Sequence, residues 1–338
     1  MDAPPTAQSP PRNPILLIAP FFLWGTAMVA MKGAMPHTSP FFMATMRLVP
    51  AGMVVLVASL WLRRPQAIGW RGWLWVGLFA LVDGTLFQGF LAAGLERTGA
   101  GLGSVMIDSQ PLAVAIMARW LFGERVGALG WIGLAWGIVG ISLLGLPDAW
   151  VLALLQGQTD WLANGQAFDT LLQGGEWLML LAALSMATGT ILIRYVCRYV
   201  DPVVATGWHM VLGGLPLLGL SCLGDVQPWQ QLTGPDWAAI AYSTLFGSAL
   251  AYGIFFFLAS QGNLTSLSAL TFLTPIFALL FGNLFLAETL SPLQWVGVGF
   301  TLVSIYLINQ REVLTQRLRR WLLDLETNAA TKGSIEPD

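Results

Sequence analysis

Ten stretches of mostly apolar residues follow one another along the chain, separated by short clusters of Pro, Gly and charged residues. They fall near 14–33, 40–62, 72–94, 98–121 and 126–146, then, after a longer connection, near 177–198, 202–222, 236–259, 264–286 and 291–309. Each is about the ~20 residues that an α-helix needs to cross the hydrocarbon core of a bilayer. The pattern predicts an all-α, polytopic membrane protein with ten transmembrane helices. Two five-helix blocks, 14–146 and 177–309, are joined by a connection at 147–176 and flanked by tails at 1–13 and 310–338.

Composition supports that medium. Of 338 residues 56% are hydrophobic and 10% charged, against roughly 25% charged in a soluble domain. Sixteen Trp and 37 Gly suit interfacial anchoring and close helix approach. A basic stripe or nucleic-acid motif is missing, so nucleic acid is not an expected partner. Cys197 and Cys222 have no metal-type spacing, and neither a metal nor a cofactor is expected. The leading MDAPPTAQSPPRN lacks the look of a transit peptide.

Lys and Arg set an orientation, because cytoplasmic loops retain positive charge. With the N-terminus inside, the inner side receives Arg12, Arg63, Arg64, Arg71, Arg119, Arg125, Arg194, Arg198, Arg311, Arg317, Arg319 and Arg320; the outer side gets Lys32 and Arg97. Both termini are therefore expected in the cytoplasm, with the chain multi-pass in the inner (plasma) membrane. The connection at 147–176 reads either as a short amphipathic helix on the outer surface or as a linker. The tail RLRRWLLDLE reads as a basic amphipathic anchor on the inner leaflet.

The second block repeats the first. At an offset of 164 (288 minus 124), Glu124 meets Glu288, Ser104 meets Ser268, Pro111 meets Pro275, Trp131 meets Trp295 and Gly133 meets Gly297; further upstream Trp73 meets Trp237. At 162 (194 minus 32), Thr26 meets Thr188, Lys32 meets Arg194, Pro40 meets Pro202 and Arg47 meets His209. Five spans is an odd number, so the second copy enters the membrane from the opposite side, giving two inverted five-helix repeats. Such repeats characterise secondary transporters that hold substrate near the midplane.

Trp24-Gly25-Thr26 through Lys32, Ser39-Pro40 through Arg47, Pro111, and the junction LFGERVGALGWIG echoed by FLAETLSPLQWVG together resemble the EamA-type drug/metabolite transporter family. The resemblance covers nearly the whole chain, and it rests on the order of the motifs and the duplication rather than on one motif. The IDSQP stretch at Asp108 is similar to that of a subgroup with plant chloroplast-envelope relatives. The resemblance implies a ten-helix carrier of small metabolites with inside-facing termini, often an exporter, and implies no particular substrate.

Polar residues inside the spans are the candidate substrate pathway. Asp108 stands about ten residues into span 4, which at ~1.5 Å per residue is near mid-bilayer, and Asp83 is at similar depth in span 3. Intramembrane acids normally face a cavity or a partner. Asp108, Gln110 and Asp83 become Phe272, Thr274 and Gly247 in the second copy, so the shared scaffold does not demand them. Asp108 is read as a pathway residue. For Asp83 a pathway role and a protonated, hydrogen-bonded structural role stand side by side. Arg47, ~10 Å deep in span 2, either snorkels outward or points inward and wants a carboxylate from Asp108, Asp83 or substrate. His209 is either a proton-coupling group or a neutral histidine bonded to a carbonyl.

Trp24, Gln88, Thr188 and Tyr252 complete the candidate pathway; Gln88 and Tyr252, matched at 164, are placed to face each other across the twofold. Pro111 and Pro275 should kink spans 4 and 9, as a hinge or a static bend. Glu124 and Glu288 recur at matching turns, which suggests a capping duty. Lys32 and Arg194 read as interfacial anchors, and the glycines of GLAWGIVG as packing positions.

The expected function is secondary transport of a small metabolite, an amino acid or a drug-like compound, by alternating access and in the export direction. Protons are the candidate coupling ion, the lipid bilayer and a small-molecule substrate are the expected partners, and the oligomeric state is open. A Walker-type P-loop is missing. A passive channel is the alternative, although charged rings along the spans are scarce. An intramembrane enzyme is the weaker one, because His209 has no accompanying nucleophile or metal cluster.

Overall fold

The computed structural model describes residues 14–97, 107–145, 148–157, 175–224, 227–286 and 291–333, and every regular element among them is helical. In chain order these are α1 (Pro14–Ala34), α2 (Pro40–Trp61), α3 (Trp70–Arg97), α4 (Gln110–Phe122), α5 (Gly127–Gly145), α6 (Asp148–Leu155), α7 (Glu176–Val196), α8 (Pro202–Gly224), α9 (Gly234–Gln261), α10 (Leu264–Ala269), α11 (Leu273–Leu286) and α12 (Pro292–Gly333).

Helix starts follow local chemistry. Pro at the first position lacks an N–H that would go unused there, and α2, α8 and α12 begin on Pro40, Pro202 and Pro292. Asp201 caps α8 by accepting from the Val203 amide at 2.9 Å. Ser291 and Gln294 cap α12 reciprocally, and Thr233 with Asp236 form a capping box on α9.

Seven helices among the described residues are long and apolar enough to cross a membrane: α1, α2, α3, α7, α8, α9 and the Pro292–Arg317 part of α12. The expected spans 4, 5 and 9 appear as the shorter apolar helices Gln110–Phe122, Gly127–Leu143 and Leu264–Ala278. The first residues of expected span 4, 98–106, lie outside the described residues, so ten full spans remain an expectation.

Burial is the reverse of that in a water-soluble protein. Arg47, Asp83, Gln88, Asp108, Gln110, His209 and Ser248 are buried, while Trp61 is 89%, Leu223 87% and Leu284 70% exposed. Apolar side chains this exposed need lipid rather than water around them. Between helices, small residues set the approach. A Cβ on Gly52 (α2) would stand 2.7 Å from the Gly207 carbonyl oxygen (α8), and further along Gly214 faces Val49. Rising numbers on α2 meet falling numbers on α8, so the two helices are antiparallel. The α5–α12 pair behaves identically: Gly133 faces Ile308, Gly137 faces Ser304 and Gly140 faces Thr301.

The packing order is duplicated. Helix α1 lies against α9 and α11, while its counterpart α7 lies against α3 and α4. Both α3 and α9 contain a π-helical segment, Ala80–Phe87 and Ser243–Leu250, at equivalent positions. Such segments widen a helix and concentrate at functional sites. Each meets the second helix of the other half: Ala80–Phe87 packs on α8, Ser243–Leu250 on α2.

Two expectations change. Pro111 does not kink a continuous helix: residues 108 and 109 form a turn, and Pro111 sits in the first turn of α4. Pro275 likewise lies near the start of α11, just after the 3₁₀ turn Leu270–Phe272. Helix α4 thus starts just before its proline, where a missing N–H costs least, whereas the chain stays helical through Pro275 and tightens to 3₁₀ just before it. The connection contains the helix Asp148–Leu155, whereas 158–174 fall outside the described residues. The C-terminal tail continues α12 as one helix to Gly333.

Candidate functional site

A cavity of about 60 Å³ lies where α1, α2, α3, α7 and α9 meet the breaks before α4 and α11. Helix α1 contributes Trp24, Met28 and Met31, and α2 contributes Arg47; Asp108 and Gln110 come from the turn that opens α4, Met186 from α7, Tyr252 from α9, and Thr271 and Thr274 from the second break. The turn before α4 and the 3₁₀ segment before α11 bring polar side chains to this depth, which a membrane protein tolerates where they line a cavity.

Arg47 is 5% exposed. Its Nε and Nη2 each donate to Ser248 Oγ at 3.3 Å, and Nη1 approaches the Met31 sulfur at 2.7 Å. Neither Asp83 nor Asp108 pairs with it, contrary to one sequence expectation; among the described residues no carboxylate stands within ion-pair distance of the guanidinium. A hydroxyl and a thioether are weak acceptors for an ionised donor.

Tyr252 takes the Gln88 amide as donor at 2.8 Å, the predicted contact across the two halves. Its ring lies 5.1 Å from that of Trp24. Gln110 donates to Thr190 at 3.2 Å. Several buried polar atoms have no protein partner: Trp24 Nε1, Gln88 Oε1 and Thr274 Oγ1. A buried unpaired polar atom is costly unless water or a ligand reaches it.

Asp83 and His209 form a second polar centre outside the cavity lining. Asp83 Oδ2 is 3.1 Å from His209 Nε2, and His209 Nδ1 is 2.7 Å from the Thr206 carbonyl. The carbonyl accepts only, so Nδ1 carries a hydrogen and donates. The Nε2–Oδ2 contact then holds one further proton, on either the ring or the carboxyl. The pair is neutral overall in both forms. Phe79 stacks on the imidazole at 4.2 Å, Phe256 meets it edge-on at 5.3 Å, and Asp83 abuts Gly189, where any Cβ would overlap the carboxylate. Tyr252 is the further titratable group that interacts with Asp83 electrostatically.

Trp24, Arg47, Asp108, Gln110 and Tyr252 thus converge on one cavity, with Gln88 held behind Tyr252. Thr188 does not join them: its hydroxyl donates to the Leu184 carbonyl of its own helix at 2.8 Å. Two residues further along, Thr190, itself not a lining residue, accepts from Gln110. Sequence reasoning also missed Met28, Met31, Met186 and Ser248. Ser248 had a signal, since it adjoins Gly247, the counterpart of Asp83; a methionine in a spanning helix has none.

The two ends of the bundle differ. At the end of the α1–α2 and α8–α9 connections a cavity of about 710 Å³ is lined by polar residues including His37, Ser39, Glu96 and Gln231. At the other end the halves are tied together. Glu124, in the α4–α5 turn, accepts from the Leu264 and Thr265 amides at 3.1 and 3.3 Å and from the Thr265 hydroxyl at 3.0 Å, and it pairs with Arg194 at 3.4 Å. Arg194 also donates to the Gly262 carbonyl, and Arg64 pairs with Asp201 at 3.6 Å. Glu124 therefore caps a helix, but α10 of the other half rather than the helix that follows it. Glu288 lies outside the described residues.

The model of the EamA-like transporter family matches residues 13–146 and 173–310. An uncharacterized transporter of Synechocystis sp. is 64% identical over 91% of this chain and 93% of its own length. A WAT1-related chloroplastic protein of Arabidopsis thaliana is 51% identical over 87% of this chain and 68% of its own, and Protein PecM of Dickeya dadantii 28% identical over 87% and 91%. A solved crystal structure superposes with a TM-score of 0.69 at 17% identity, covering 90% of this chain and 97% of that one.

Proposed function

Because the chain belongs to the EamA-like transporter family, a multi-pass membrane protein and a transporter, we propose that it is a secondary carrier of a small metabolite, an amino acid or a compound of similar size, working by alternating access and exporting its substrate. One observation carries this reading: a small cavity among the spanning helices with charged and hydrogen-bonding side chains from both halves, beside the turn before α4 and the 3₁₀ segment before α11. A channel would need a continuous polar path, which a cavity of about 60 Å³ lined mostly by apolar side chains does not offer.

In this reading the chain forms two inverted five-helix repeats, 14–146 and 177–309, with both termini in the cytoplasm of an inner-membrane orientation. Support comes from the antiparallel α2–α8 and α5–α12 pairs, the duplicated π segments and the mirrored neighbours of α1 and α7. The large polar cavity then faces outward, and the Glu124–Arg194 tie closes the inner side. Inward opening requires Glu124 to release α10 and Arg194. Asp83 and His209 supply a site for one exchangeable proton, and the prolines mark where α4 and α11 pivot.

Metabolite profiling of cells with and without the protein tests the carrier reading. A set of small molecules should shift between cell and medium with the protein present, and the shift should depend on external pH. Asp83→Asn, which preserves a hydrogen bond to His209 but holds no exchangeable proton, should retain transport and flatten its pH profile. An unchanged metabolite distribution contradicts the carrier reading; an unchanged pH profile in Asp83→Asn contradicts the proton role alone.

A further inference from the structure

We propose that the transported molecule carries one carboxylate, bound by Arg47 with help from the Trp24 indole N–H, and an apolar body seated among methionines; this names a substrate class for the cavity and rests on the carrier reading above. Arg47 is ionised at any cellular pH and buried, yet its partners are the Ser248 and Tyr252 hydroxyls and a thioether. Burying a charge without a counter-charge is costly. Trp24 Nε1, lining the same cavity at 9% exposure, is a second donor with no acceptor. Two under-satisfied donors on residues that line one small space complement an acceptor with negative charge.

The other half indicates what is missing. His209, the counterpart of Arg47, meets the π segment of the opposite half at a carboxylate, Asp83. Arg47 meets the equivalent segment at Ser248, next to Gly247. Where one half supplies an acid from the chain, the other packs Gly247 against Ala27 and gives the cation a serine, with no described carboxylate in ion-pair contact. Arg47 is the one basic residue among the described residues that line the cavity and offers a single positive charge, while Asp108 lines it too, which favours a ligand with one carboxylate over a dianion. A phosphate dianion would bring surplus negative charge beside Asp108 with no second cation. Apart from Gln110, Tyr252, Thr271 and Thr274, the remaining lining is apolar, with Met28, Met31 and Met186 adaptable enough to yield to bodies of different shape. At about 60 Å³, roughly the liquid share of two waters at ~30 Å³ each, the cavity must widen to take such a body.

The test uses the full chain in proteoliposomes, with uptake read by mass spectrometry under a pH gradient of either sign. The external mixture contains leucine, phenylalanine and methionine, the deaminated acids 4-methylpentanoate and 3-phenylpropanoate, and the decarboxylated amines isoamylamine and phenethylamine. Carboxylates, with or without the amino group, should accumulate and the amines should not. Removing one partner of a desolvated charge pair costs at least ~2 kcal/mol, so Arg47→Gln should lower carboxylate uptake by about 30-fold or more, and Arg47→Lys by less. Ser248→Asp should match Arg47→Gln, because it neutralises Arg47 from within; its loss of uptake decides the matter should Arg47→Gln fail to fold. Amine uptake equal to acid uptake, or full acid uptake by Ser248→Asp, overturns the proposal while leaving the carrier reading intact. No uptake of any compound by the unaltered chain counts against both.

Discussion

Arg47 on α2 and His209 on α8 occupy equivalent places in the duplicated sequence, and each reaches the π segment of the other half. Their surroundings have diverged. His209 is enclosed by Phe79, Phe256 and Asp83, in a neutral pair outside the lining of the Arg47 cavity, with Asp83 Oδ1 left without a hydrogen-bond partner. Arg47 lines a cavity, beside a serine and a methionine sulfur, with its charge unanswered by any described residue. One scaffold position has thus become a self-contained proton-holding pair in one half and an open cationic site in the other. Duplication builds a symmetric frame, and the departures from symmetry are where specific chemistry resides.

Four substitutions test that contrast, from the largest expected effect downward. His209→Ala should be the most damaging, because it strands a buried carboxyl and empties a ring-sized space; breaking such a pair costs about 3–5 kcal/mol. Thermal unfolding in detergent should show the loss, with Asp83→Asn far milder. Gly189→Ala should come next: its methyl overlaps the Asp83 carboxylate, and overpacking of this kind costs ~1–3 kcal/mol. Gly33→Ala, with open space around the new methyl, is its control and should stay within about 0.5 kcal/mol.

Tyr252→Phe removes the acceptor for Gln88 across the halves. It should cost about 1 kcal/mol and, more tellingly, alter transport without large unfolding. Glu124→Gln should have the smallest effect on stability, under about 1 kcal/mol, since its backbone contacts survive and the Arg194 pair is partly exposed. It should still raise labelling of the Glu124 end of the cavity by a thiol reagent. Equal costs for His209→Ala and Arg47→Gln in the unliganded protein would erase the proposed difference between the halves.

Much of the fold was legible in the sequence, because a hydrophobic run of spanning length dictates a helix whatever surrounds it. Described helices such as Pro40–Trp61 and Pro202–Gly224 start on the expected prolines. The Gln88–Tyr252 contact was also legible, since the duplication places two polar side chains at equivalent depths on helices that meet. Local breaks were harder to read. Proline marks a discontinuity but not its side, and only tertiary packing decides whether the chain bends at Pro111 or restarts there. Thr188 was chosen by depth; the residue of α7 that lines the cavity is Met186, with Thr190 meeting Gln110, and a helix apolar all round leaves that facing unspecified. The methionines were illegible for the same reason, being lipid-facing or site-lining with equal ease.

The account rests on the Arg47 cavity being reached from one membrane face at a time. A single cysteine at Met186, in a chain with Cys197 and Cys222 replaced, reports this directly when labelled from either side by a membrane-impermeant thiol reagent. Labelling from each side is expected, with conditions that promote one suppressing the other, and with slower reaction when the Arg47 site is filled. Simultaneous, independent labelling from both faces, or none from either, would contradict it.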